Sequence, residues 1–392
     1  MRMKIITGVS LIALSAGMAQ AGGFELQTLD TSIMYVDGNQ ASSSYAKIDA
    51  SIEGYNTAAE ALGLPSKRQV VKDQTVTNVN AKFDVGESMS FGLGTYRAGS
   101  IQLSGGNEAP TPGVSPGGNL TPTADVDMDT TALMARYNLN DNFSFIGGIT
   151  QNAIKGGNVT TLAGSYDVAS KSSTGYIGGV AYIIPEIALR AELTYQPKTE
   201  FTTSTAYTPS AVGICGAAAA VGADCTVPEV YSGYLSNMTT TASTTTLSLP
   251  DSLALNFQTG IAEDTLMTAS YRKASWGKSQ INIAAPIPIT TEFTDSDAYS
   301  IGVGRKFSDN LSGSITYSVE EGSSSTSTSL FTVSNGSEAI SLGVRYTRDN
   351  MNISAGISQR NVGDVTVNSS VGTMQYTGNT VTSMGVKIAF AF

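Results

Sequence analysis

The side chains able to do chemistry in this chain are few, and the missing ones constrain it most. Histidine is absent from all 392 residues, so no imidazole can serve a serine or cysteine nucleophile as base. Acid–base catalysis falls to histidine more often than to any other side chain, and we expect neither enzymatic activity nor a cofactor. Asp125, Asp127 and Asp129 alternate along one stretch. Spaced carboxylates can hold Ca²⁺ or Mg²⁺, but a wet rim solvates them equally well, and no metal is assigned. Cys215 and Cys225 are the only cysteines. In an exported chain they read as a disulfide closing a small loop, ahead of a redox or metal pair. Arg136, Arg190, Arg272 and Arg345 each stand within alternating apolar sequence, and a guanidinium there could clamp a carboxylate with two hydrogen bonds. The net charge of −10 opposes nucleic acid as a partner, because phosphate binding requires a basic surface.

The elements that position these residues begin with an export signal. Arg2 and Lys4 precede an apolar stretch from Ile5 to Ala16, and Ala19-Gln20-Ala21 is a small-residue cleavage site. Residues 1–21 therefore read as a signal peptide, with Gly22 as the mature N-terminus. No later segment approaches the roughly 20 apolar residues of a transmembrane helix. Charged residues make up only 14% of the chain and glycine is abundant, with 41 copies; soluble domains carry about 25% charge. A chain that enters a membrane without such helices must do so as a closed barrel, which satisfies every backbone polar group.

From residue 41 the sequence breaks into stretches with period-two alternation. Leu311, Gly313, Ile315 and Tyr317 interleave with Ser312, Ser314, Thr316 and Ser318, and Ile340, Leu342 and Val344 with Ser341 and Gly343. One set suits hydrocarbon and the other water. This pattern predicts about 14 strands in residues 41–392. Connections between them alternate between short turns, such as Gly86-Glu87 and Pro185-Glu186, and long loops, such as 99–125 and 201–245. That sorting is the topology of bacterial outer-membrane barrels, with short periplasmic turns and both termini in the periplasm. The last strand carries Met384, Val386, Ile388, Phe390 and Phe392 on one face. A terminal amphipathic strand ending in Phe392 resembles the signal read by the outer-membrane assembly machinery. The fold expected is all-β, a transmembrane antiparallel β-barrel. A lumen of this strand number is too wide for its own side chains to fill, so residues 22–40, opening on Gly23-Phe24, are expected to form a plug. The alternative is a disordered leader.

The chain resembles the FadL and toluene-transporter family of outer-membrane long-chain fatty acid and hydrocarbon transporters. The local match is Leu249-Pro250-Asp251-Ser252-Leu253 with Leu255, Phe257, Met267, Tyr271 and Trp276, together with Gly23-Phe24 and the terminal Phe392. The resemblance implies an N-terminal hatch, capture of a hydrophobic ligand by extracellular loops, and sideways release between strands. The family's Asn-Pro-Ala stretch after the hatch is replaced here by Asp37-Gly38-Asn39-Gln40-Ala41, and the loop near 156–171 is short. This marks a divergent member.

Two groups of residues are candidates for ligand contact. The loops near Ile214 and Val221 and near Ile283 and Ile287 are apolar, and they could bind an acyl chain or pack on one another as a lid. The basic residues Lys47, Lys82, Arg136, Arg190, Arg272, Lys306, Arg345 and Lys387 are turned inward, because a cation facing lipid is costly. They could receive a carboxylate or pair with inward acids such as Glu192, or with the plug. Gly92 and Gly94 share the inward face of the third strand, where the resemblance places the kink that opens a lateral gap. The function expected is passive transport of long-chain fatty acids or similar molecules by a monomer set in lipid and lipopolysaccharide. A polar-solute porin and an adhesive barrel are the alternatives.

Overall fold

The computed structural model describes residues 23–57, 60, 67–105, 122–161, 164–209, 240–285, 288–369 and 372–392. Ile214, Cys215, Val221, Cys225 and Ile287 lie outside the described residues. The fold is a closed antiparallel barrel of 14 strands. They are β1 Gln40–Ser51, β2 Gln74–Val85, β3 Met89–Ser104, β4 Thr123–Asn138, β5 Phe143–Thr161, β6 Lys171–Ile184 and β7 Leu189–Gln196, followed by β8 Ser252–Ala262, β9 Thr265–Ala274, β10 Ser296–Lys306, β11 Leu311–Glu320, β12 Ser337–Arg348, β13 Met351–Val362 and β14 Thr380–Ala391. Each pairs with the next, and β1 pairs with both β2 and β14, so the wall closes on itself. All 14 stretches recognised by alternation are strands of this wall. Among the described residues no helix is long and apolar enough to cross a membrane.

Side chains sort as the alternation requires. Leu133, Ile149, Ile301, Ile315, Leu342 and Ile357 are outward and exposed, while Ala132, Met134, Ser358 and Ser383 are inward and buried. Aromatic rings flank this apolar band. Phe83 and Phe392 meet edge-on at the short-turn end with ring centroids 5.8 Å apart, and Tyr271 and Tyr299 lie 5.1 Å apart toward the long-loop end. Apolar sides bounded by aromatic girdles are the form of a lipid-facing barrel.

The largest buried apolar cluster lies at the long-loop end, above the lumen. Five further strands continue the barrel wall upward: Gly164–Val168, Thr199–Pro209, Thr241–Leu249, Asn282–Ala284 and Ile289–Thr290. A separate five-stranded sheet built from Glu53–Asn56, Lys67–Gln69, Thr326–Ser327, Val365–Ser369 and Gly372–Tyr376 stands beside them. Tyr166, Phe201, Leu247, Phe331, Val367 and Met374 pack together there. The described parts of the long loops thus form an apolar cap over a polar barrel.

One inward assignment is corrected. Lys47 points outward on β1, on the same side as the exposed Tyr45, and pairs with Asp49. The rule that turns cations inward holds only within the hydrocarbon band, and this pair stands toward the long-loop end, where an outward charge meets water or head groups.

Candidate functional site

Residues 23–38 run through the lumen, held by inward side chains from opposite sides of the wall. At the short-turn end Lys82, itself buried, donates to Val36 O at 2.8 Å and to Gly38 O at 3.0 Å. Above it two guanidinium groups lie over the Tyr35 ring, Arg136 at 4.9 Å and Arg190 at 4.4 Å from its centroid. Stacking of this kind favours arginine over lysine. Thr31 donates to Glu192, and Thr31–Tyr35 forms a 3₁₀ turn whose Ile33 and Met34 pack against Met134 and Ile146. Asp30 caps that turn, accepting from Ser32 N–H at 2.9 Å. Near the long-loop end Arg272 pairs with Glu25 at 2.7 Å. Of the four arginines singled out from sequence, Arg136, Arg190 and Arg272 meet this N-terminal segment, and Arg345 donates to Ser354 on the wall at 3.3 Å.

The segment ends in an aromatic knot. Phe24 meets Trp276 edge-on at 5.1 Å and Phe293 at 6.0 Å. Gly23 has φ +149°, and a Cβ there would fall 2.2 Å from the Trp276 ring, so this close approach needs glycine. Phe24 separates two unlike spaces. Above it lies an apolar pocket walled by Ile101, Val126, Met128, Ile154, Leu247 and Ile283, with Thr245 and Thr291 the only polar lining residues among those described. Below it lies a cavity of about 500 Å³, reached by Gly23, Glu25, Arg272 and many hydroxyl-bearing wall residues. Among the described residues no charged side chain lines the upper pocket. Ile283 lines it, and its strand pairs with both Ile289–Thr290 and Thr241–Leu249; the loop packs as a lid and also walls a pocket. Glu292 steadies the same loop by accepting from Thr328 N–H at 2.9 Å and from the Thr328 hydroxyl, which holds its carboxyl below the usual carboxylate range.

The wall is interrupted beside this pocket. Pairing between β2 and β3 runs from Val85↔Met89 only to Val79↔Thr95. Beyond that rung β2 stays with β1, and β3 stays with β4 through a register shift between Arg97 and Gly99. The edge of β3 is taken first by the N-terminal segment, where Leu26 N–H donates to Ala98 O and Ser100 N–H to Phe24 O, both at 2.9 Å, and above it by residues 70–72, where Lys72 N–H donates to Gln102 O at 3.1 Å and Ser104 N–H to Val70 O at 2.9 Å. Gly92 and Gly94 sit just below, where β2 and β3 are still paired. Gly92 has a separate use, since a Cβ there would lie 2.3 Å from Met34 Sδ.

Asp125, Asp127 and Asp129 keep the outward parity of Leu133, because the register shift opposite Val126 and Met128 does not change their face of β4. Lys72, Arg97 and Lys155 pair with them. They form an ion-paired rim above the apolar band. Arg360, not singled out from sequence, is a further inward guanidinium and donates to Ser337.

No protein-family model matches the sequence, and no curated protein matches it. Solved structures do match in fold. A FadL homologue from Pseudomonas aeruginosa aligns with a TM-score of 0.74 at 13% identity, covering 96% of this chain and 98% of that one. The toluene transporter TodX of P. putida aligns at 0.63 and 11% identity, covering 97% and 99%. The Ralstonia pickettii toluene transporter TbuX aligns at 0.62 and 11% identity, covering 97% and 100%. The chain is similar in fold to these outer-membrane transporters over nearly its whole length.

Proposed function

We propose that this chain is a passive outer-membrane route for hydrophobic small molecules. The observation that carries the reading is the apolar pocket at the long-loop end, divided from a polar lumen by Phe24 and adjoining the interrupted β2–β3 seam. An apolar molecule gains about 0.8 kcal/mol per CH₂ on leaving water for such a pocket. It gains nothing by descending into a hydroxyl-lined lumen, so the lower-cost way out is sideways, through the seam. Residues 23–38 act as the hatch: the short-turn end is anchored through Lys82, Arg136, Arg190 and Glu192, and the Phe24–Leu26 end covers the opening. The long loops face outward and both ends of the barrel sequence face the periplasm, the arrangement that an even strand number and short periplasmic turns give. The barrel works as a monomer among lipid and lipopolysaccharide.

Long-chain fatty acids remain the proposed cargo, with one qualification drawn from the pocket. It offers an acyl tail a dry wall but a carboxylate no partner, and an unpaired buried charge is costly. A fatty acid must therefore leave its head group outside this pocket, whereas a neutral hydrocarbon has no charged group to exclude. Labelled oleate, an alkane and toluene, each offered to cells with and without the protein, test the reading. Protein-dependent uptake of at least one is expected, and no dependence for any of the three refutes it.

A further inference from the structure

The interrupted β2–β3 seam is an eyelet, closed above as well as below. Its lower end is the rung Val79↔Thr95. Its upper end is a bridge between Val71 and Leu103, where Lys72 N–H donates to Gln102 O at 3.1 Å and Ser104 N–H to Val70 O at 2.9 Å. Val71 lies eight residues before Val79, and Leu103 eight after Thr95. The ladder therefore resumes in the register it left. Between the two ends β2 stays with β1 and β3 with β4.

The chain at the upper end is tied to both flanks. On the β1 side Val70 N–H donates to Ile52 O at 2.9 Å, the Gln69 amide donates to Ala50 O, and Asp73 accepts from Ala50 N–H at 3.1 Å. On the β3 side the Ser104 hydroxyl donates to Gln69 O at 2.9 Å. Lys72 also pairs with Asp125 on β4 at 3.5 Å. Val70 and Val71 are buried in the apolar cluster that holds Ile52 and Leu103. Backbone bonds on two sides and buried side chains together oppose any parting of β1 from β3 at this level.

Inside the eyelet, residues 24–26 occupy the edge of β3. Leu26 and Phe24 bond to Ala98 and Ser100, and Glu25 pairs with Gly99. A chain paired in this way lies one strand spacing from β3, about 4.8 Å. The space it gives up on leaving is one strand thick, and the rungs at either end keep it so. An unbranched alkyl chain, or a flat aromatic ring entering edge-on, is no thicker. A cage hydrocarbon such as adamantane is thicker in every direction.

We propose that residues 70–72 are a fixed upper frame of the lateral exit, and that they limit cargo to molecules one alkyl chain or one flat ring thick. This limit rests on the hydrophobic route proposed above and states which molecules that route admits.

Protein-dependent uptake of labelled toluene, hexadecane and adamantane by cells carrying the full chain tests the limit. Wild type should take up toluene or hexadecane and exclude adamantane. Lys72→Pro removes the N–H that bonds Gln102 O, and it should raise adamantane uptake at least several-fold. Val71→Cys combined with Leu103→Cys joins a facing pair outside the hydrogen-bonded positions, where the side chains are close enough for a disulfide. Its uptake of toluene and hexadecane should be the same before and after reduction, with wild type treated alongside. Heat-modifiable migration on gels first shows each variant to be a closed barrel, and the cross-linked pair decides alone if Lys72→Pro does not fold. Three results overturn the frame and leave the hydrophobic route standing: wild-type uptake of adamantane as fast as toluene, exclusion of adamantane by folded Lys72→Pro, or uptake by the cysteine pair only after reduction. No wild-type uptake of any of the three molecules refutes the route, and the frame with it.

Discussion

Arg272 and Glu25, 247 residues apart, face each other across the lumen in a two-pronged pair, Nη1 to Oε2 at 2.7 Å and Nη2 to Oε1 at 2.9 Å. Both side chains are less than a quarter exposed, at 18% and 22%, so solvent screens the pair only in part. Removing the guanidinium leaves a carboxylate enclosed without its partner, at about 1–3 kcal/mol. Arg272→Met should therefore loosen the Phe24 end of the segment, and adding Glu25→Gln should restore much of the loss. Trp276 is the only tryptophan and is almost fully buried against Phe24, so its fluorescence reports the change. A red-shifted emission is expected in the single variant. An emission identical to wild type would show that the pair holds nothing in place.

Adjacent positions on β12 test which side meets lipid. Leu342 is outward and 52% exposed, while Ser341 is inward beside the cavity. Arginine on the lipid face near the bilayer midplane costs about 2–4 kcal/mol, and arginine in a wet lumen costs far less. Leu342→Arg should impair folding into lipid vesicles, whereas Ser341→Arg should fold. Equal folding of the two would contradict the orientation of the whole wall.

The period-two rule made the barrel legible because it acts within each strand: every one of the 14 stretches, and the inward parity of Arg136, Arg190, Arg272, Arg345 and Lys387, follows from local alternation. The same rule could have found Arg360, which lies two residues beyond the inward Ser358. It failed at Lys47, where the strand has risen above hydrocarbon and the cost of an outward charge disappears. What no local rule carries is the partner. Nothing near Tyr35 indicates that Arg136 and Arg190 both approach its ring, because that contact depends on how a segment threads a lumen. The upper pocket was hidden for a related reason. Val126 and Met128 read as ordinary strand residues and Ile101 as part of the loop 99–125, and only the rise of the wall past the rim brings them against Ile283 and Leu247. The interruption between β2 and β3 lies past Thr95, a few residues from the glycines that drew attention to this strand.

Gly92 of the wall faces Met34 of the N-terminal segment, and a Cβ added there would lie 2.3 Å from its Sδ. A leucine there would drive into Met34 and lever the 3₁₀ turn away from Met134 and Ile146, while the rungs Lys82↔Gly92 and Gly92↔Met134 use backbone alone. Overpacking of this kind typically costs about 1–3 kcal/mol. Gly92→Leu should assemble as a barrel yet release the N-terminal segment to added protease several times faster than wild type. Unchanged cleavage would mean that the segment is not held by this contact.

The upper pocket makes the sharpest demand on chemistry, because Ile283 is only 3% exposed and has no charged or amide neighbour in the pocket lining. Aspartate at that position would sit as an unpaired charge in an apolar wall, or draw in water that a hydrocarbon must then displace. Either effect weakens capture. A loss of about 1.4 kcal/mol is already tenfold in affinity, so Ile283→Asp should cut hydrocarbon uptake by at least about tenfold. Ile283→Ala removes volume without adding charge and should cost much less. Both variants must first show the compact, heat-modifiable form of a closed barrel, which separates failed capture from failed assembly. If Ile283→Asp transports as well as wild type, hydrophobic molecules do not enter through this pocket. The loops, the hatch and the seam would then need another account.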